Sequence, residues 1–187
     1  MASLMDKLKN LFQSADVPDD AREIYLKAAS PLELLKGLEA QRGRNEMELR
    51  EREDQLIALD KSLLSEEDKV RRGGLSPTEE ATILRRIERY GNQRDSLEKL
   101  VGIYNGNVNF HNNLIAKIQE MEAMRSRGVS EDQIDQLVGE VEEHLERYRR
   151  ESLAGASTAQ VRTVVNDSAE RARLAEIKKS ILAKAGS

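Results

Sequence analysis

The sequence predicts an all-α fold. A long antiparallel, coiled-coil-like helical hairpin is expected, with a short amphipathic helix before it and further helices after it. Three observations carry this. Apolar residues recur on a seven-residue repeat over several heptads, the pattern of a helix packed lengthwise on another. Three Ser-x-x-Glu/Gln boxes stand where the apolar runs begin. Charged residues make up 34% of the chain and aromatics 3%, which is the usage of long helices and not of a compact globule. A core that is only a seam leaves much of the stability to partner helices or to self-association.

Composition also excludes. Net charge is −4 with acids and bases interleaved, whereas a dedicated nucleic-acid binder would show a basic stripe, so nucleic acid is not an expected partner. The chain has no cysteine, hence no disulfide framework and no thiol chemistry. No apolar run reaches the length that spans a bilayer. The start lacks the apolar core and cleavage site of a secretory signal, so the expected address is the cytoplasm.

Residues 1–13 form an amphipathic segment. Leu4, Met5, Leu8, Leu11 and Phe12 fall on one helical face, flanked by Lys7 and Lys9. Such a face suits the acyl boundary of a membrane, with the cations meeting anionic headgroups. The same pattern suits a helix docked on the protein itself or on a neighbouring subunit. The terminal position, cut off by the break at 14–18, favours lipid. Residues 14–30 are a connector with a short helix over 19–29, where Ile24, Tyr25 and Ala28 share a face.

Residues 31–127 form the hairpin and its extension. Ser30 with Glu33, and Pro31 in the first turn, open the first arm, which should run to Arg72. One seam position holds Leu35, Arg42, Leu49, Leu56, Leu63 and Val70; the other holds Leu38, Asn45, Arg52, Leu59 and Glu66. Gly37 and Gly43 weaken the start, and the polar run 41–45 predicts a loosely packed or solvent-bathed section. Gly73 and Gly74 break the helix, and Ser76, Pro77 and Glu79 begin the second arm at once. So short a turn makes the arms antiparallel neighbours. The second arm carries Ile83, Tyr90, Leu97, Tyr104, His111 and Ile118 at one position, and Ile87, Arg94, Val101, Val108, Ile115 and Glu122 at the other. It spans roughly 70 Å at about 1.5 Å per residue. Its end beyond Asn105 outruns the first arm and needs another partner. Asn and Gly crowd 105–113. Both are poor helix formers, so Asn105, Gly106 and Asn107 read as a hinge in a helix of low local stability, or as a loop that ends the helix near Tyr104. Gly128 marks a second joint.

Residues 128–154 form an acidic amphipathic helix that begins at Ser130 and Gln133. Ile134, Leu137, Val138, Val141, Leu145 and Tyr148 share its apolar face. The acidic face reads as solvated, or as a strip that meets a basic strip. Residues 155–187 are a linker and a last, basic helix over about 159–183, expected to dock when it finds a surface.

Chemistry is not expected. No phosphate loop, G-x-S-x-G or H-E-x-x-H motif occurs. Glu140, Glu143 and His144 give one E-x-x-E-H set, whereas a di-iron bundle needs matching ligands on facing helices. Cofactors and metals are therefore not expected. His111 is expected to be packed or hydrogen-bonded rather than a ligand.

The order of parts, and above all the acidic run Val129-Ser130-Glu131-Asp132-Gln133-Ile134-Asp135-Gln136-Leu137-Val138-Gly139-Glu140-Val141-Glu142-Glu143, resembles the superfamily of endosomal-sorting complex III (ESCRT-III) subunits, phage shock protein A and the vesicle-inducing protein of plastids. The resemblance implies a peripheral protein on the cytoplasmic face of a membrane. Such a protein remodels the membrane as a homo-polymer of stacked hairpins, alone or with related subunits. It implies that Leu4, Met5, Leu8, Leu11 and Phe12 contact anionic lipid. The chain departs from eukaryotic subunits in its charge-balanced hairpin. A motif for the disassembling AAA ATPase would read acidic, Leu, Arg-Leu, Leu-Lys. Leu174, Ile177, Lys178 and Ile181 match it only loosely and without the Arg-Leu pair, which puts that partner in doubt. Two other functions fit the residues: a soluble coiled-coil adaptor or scaffold without membrane activity, and a fixed rod with a rigid helix through 105–113.

Overall fold

A computed structural model describes residues 4–14, 19–156 and 167–184. They form six helices: α1 (Leu4–Ser14), α2 (Asp19–Lys27), α3 (Pro31–Arg72), α4 (Pro77–Ser126), α5 (Glu131–Ala156) and α6 (Asp167–Lys184). No strand occurs among the described residues. Helix α5 runs on through Gly155 and Ala156, which were expected to open the linker. The rest of that linker, 157–158, and the expected start of the last helix, 159–166, lie outside the described residues.

The helix ends follow their capping residues. At α4 the Ser76 amide donates to the Glu79 carboxylate at 2.9 Å, and the Glu79 amide donates back to Ser76 Oγ at 3.4 Å. These bonds satisfy donors that the first turn leaves without intrahelical partners. The Ser76 side-chain and backbone donors also hold the Glu79 carboxyl below the usual carboxylate range. At α3 the Glu33 amide donates to Ser30 Oγ at 3.2 Å, while the Glu33 carboxylate accepts from the Ala29 amide at 2.8 Å. Gly73 and Gly74, at φ +70° and +77°, make the reversal between α3 and α4. At the end of α4 the Val129 amide reaches Met124 O and the Gly128 amide reaches Arg125 O, with Gly128 at φ +71°. This pair of bonds around a left-handed glycine is a Schellman C-cap.

Helices α3 and α4 pack against each other as an antiparallel hairpin. Arg42 with Asn112, Arg94 with Asp60 and Arg86 with Glu66 bridge them. Of the expected seam, Val70, Ile83 and Ile87 are buried; Leu35, Leu49, Leu56, Leu63, Tyr90, Leu97, Val101 and Tyr104 are half-buried. The polar run of α3 is packed and not solvent-bathed: Gln41 and Asn45 are both buried.

The chain divides into two compact units, each with its own core. One holds α1, α2, α5, residues 31–49 of α3 and 102–126 of α4. Its core gathers Met5 and Leu8, Tyr25 and Ala28, Leu34 and Leu38, and Phe110, Leu114, Ile115, Ile118 and Met121. From α5 it takes Ile134, Leu137, Val141 and Leu145. The outrunning end of α4 thus finds its partners in α1, α2 and α5. The other unit holds residues 50–72, 77–101 and α6. Its core joins Val70, Ile83, Leu84 and Ile87 to Leu174 and Ile181 of α6. Three cross-helix ion pairs, Arg85–Glu170, Arg173–Glu88 and Lys178–Glu80, flank that core.

Helix α4 continues unbroken through 105–113, so a loop after Tyr104 is not what forms. The reason is tertiary. Val108, Phe110 and His111 are buried there, and packing of this kind outweighs weak local propensity.

Candidate functional site

Two surfaces are the binding candidates: the apolar face of α1 and the open middle of the hairpin. Met5 is 8% exposed and Leu8 fully buried, both in the core that α2, α3, α4 and α5 build. Lys7 forms an ion pair with Asp135 of α5, and Lys9 is half-buried. The side chains of Leu4, Leu11 and Phe12 lie outside the described residues. Burying Met5 and Leu8 stabilises the docked helix by at most about 1.5–3 kcal/mol each. An exposed pair such as Lys7–Asp135 adds about 0–1 kcal/mol.

The acidic face of α5 meets cations of its own unit. Asp135 reaches Lys7, and Glu140 reaches Lys117 of α4. The hydrogen bond to Glu140 holds the Lys117 ammonium above its usual range. Glu140, Glu143 and His144 do not gather round a metal, and no cluster of metal-ligating side chains occurs among the described residues. His144 instead lies parallel to Phe110 at 5.7 Å, while His111 meets the Phe110 ring edge-on at 5.3 Å. His111 Nδ1 is 2.7 Å from the Asn107 carbonyl oxygen. Tyr148 packs on Phe110 at 4.4 Å and bonds the Asn107 side chain. The two histidines, remote in sequence, thus flank one phenylalanine. The i, i+4 spacing of His144 and Tyr148 was the available signal for this cluster. Asn105 and Gly106 are exposed within α4, Asn107 is half-buried beneath Tyr148, and Gly128 forms the cap described above.

The middle of the hairpin is different. No residue of 39–62 or 88–107 belongs to either buried core. Between the arms runs an open groove of about 750 Å³, with Ala58, Leu59 and Ser62 on one wall and Asn92, Ser96 and Leu97 on the other. Ile57 and Leu64 stand about half exposed on α3, and Leu100 of α4 is 39% exposed. No described helix is long and apolar enough to cross a membrane. Comparison with known proteins returned no matching family model, no matching curated relative and no matching solved structure.

Proposed function

We propose that this chain is a self-assembling, membrane-binding and membrane-remodelling protein. It polymerises through its helical hairpin and inserts α1 into anionic lipid on the cytoplasmic face of a membrane. The observation that supports this best is the uncovered mid-hairpin. Leu56, Leu59, Leu97 and Val101 stay half-buried, and Ile57, Leu64 and Leu100 stay exposed, on helices too long for their own core. Apolar side chains left uncovered along both arms are what an interaction surface offers. The hairpin of a second copy matches it in length and in heptad pattern. Co-sedimentation with anionic liposomes, imaged by negative stain beside a lipid-free control, tests the reading. Lipid pelleting with rods, rings or tubulated vesicles is expected, and deleting residues 1–13 should abolish the pelleting. Monodisperse protein that ignores liposomes at low salt overturns it.

The second reading is a soluble coiled-coil adaptor. Burial of Met5 and Leu8 on the protein favours it. On that reading, deleting residues 1–13 costs stability and changes nothing at a membrane.

A further inference from the structure

We infer that α5 sheathes the lipid-binding face of α1, and that the Lys7–Asp135 ion pair is the latch. This rests on the reading of α1 as the lipid-binding helix and names what regulates it. Met5 and Leu8, which would enter the acyl boundary, are the side chains that the core of α2, α4 and α5 buries. Lys7, which would meet a headgroup phosphate, is held by a carboxylate. Met5, Leu8 and Lys7 are therefore engaged by protein in the docked state, and lipid contact through them excludes that docking.

The latch lies where a membrane can compete for it. The Asp135 side chain is 55% exposed and that of Lys7 23%. A phosphate headgroup arriving at this edge offers Lys7 the same charge that Asp135 offers. Exchange then swaps carboxylate for phosphate at Lys7 and the protein core for acyl chains at Met5 and Leu8, and leaves the Asp135 carboxylate, already 55% exposed, to water. Anionic lipid is both ligand and trigger, because it binds the undocked state alone.

The absence of cysteine gives a clean test. The double variant Lys7→Cys/Asp135→Cys is closed with a cleavable thiol-to-thiol crosslinker and pelleted with vesicles of mixed phosphatidylcholine and phosphatidylserine, before and after cleavage. Binding that is lost on crosslinking and restored on cleavage supports the latch. Equal pelleting in both states overturns it and leaves lipid binding standing. Failure of the cleaved variant and of the wild-type chain to pellet overturns the lipid reading and the sheath together. A pair that never crosslinks shows that α1 does not dock, which also overturns the proposal. Asp135→Lys provides a second measure. It is expected to tighten vesicle binding about fivefold beyond Glu143→Lys, which adds the same charge to an exposed site on α5. Equal effects reduce the latch to net charge and overturn it.

Discussion

Tyr148 of α5 donates its hydroxyl hydrogen to the side-chain oxygen of Asn107, and so fastens α5 to the part of α4 with the weakest helical propensity. His111 answers from the same turn by closing on the Asn107 carbonyl oxygen. The segment is helical because its neighbours hold it so. Tyr148→Phe keeps the ring on Phe110 and removes only the hydrogen bond. It should lower stability by about 1 kcal/mol, with faster amide exchange confined to residues 105–113 and 134–148. Urea unfolding and hydrogen exchange give the two readouts. Unchanged exchange there would mean that α4 is rigid in its own right, as a fixed rod requires.

Two glycines of one helix should respond with opposite signs. A Cβ on Gly37 would collide with the stiff, β-branched Ile24 of α2, whereas one on Gly43 meets no atom within 4 Å. Gly43→Ala is therefore expected to raise stability by about 0.5–1 kcal/mol through helix propensity alone. Gly37→Ala must displace α2 and should cost about 1–3 kcal/mol. Thermal melts of the two variants side by side decide it; a gain at both positions would show that α2 is not seated on α3.

This contrast marks the limit of what was legible in the sequence. The bounds of α3, the cap at Ser76 and the turn at Gly73–Gly74 were readable because each rests on neighbours in sequence. Gly37 read as a weak point of a helix; that it admits Ile24 depends on where α2 docks, which no local pattern encodes. Polar 41–45 read as loosely packed or solvent-bathed for the same reason, and Phe110 was missed as the meeting point of two distant histidines. The face of α1 was legible as apolar. What covers it was not, because an amphipathic helix has the same pattern whether lipid or protein lies beneath it.

Stability should fall at both ends of the pH scale, for different reasons. The Glu79 carboxyl is held below its ordinary range by the Ser76 side chain and amide. The cap is therefore complete above the unfolded carboxylate pKa and is lost as pH falls through the lower folded value. Burial, with Tyr148 nearby, pushes the Tyr25 hydroxyl well above its ordinary range. The unfolded chain then releases this proton first, so stability declines as pH rises past about 10. Glu79→Gln should flatten the acid limb alone. Tyr25→Phe should flatten the alkaline limb alone. Denaturation midpoints across pH measure both, and an alkaline limb as steep in Tyr25→Phe as in the wild type refutes the assignment.

Apolar residues of α3 and α4 should separate into those that hold the fold and those that serve assembly. Ile118 is fully buried in the core of α1, α2, α4 and α5, so Ile118→Ala should cost about 2–5 kcal/mol. Ile57 and Leu100 lie outside both cores, on the uncovered stretch of α3 and α4. Changing both to Gln removes apolar surface that the monomer does not use, so stability should move by less than about 0.5 kcal/mol at each site. If a second hairpin covers that stretch, the same double variant loses its sedimentable polymer while its melting curve stays that of the wild type. If it still assembles, the exposed strip is not the contact. The two measurements must be made on one preparation, because a polymer lost through unfolding and a polymer lost at its interface look alike in the centrifuge and differ only in the melt.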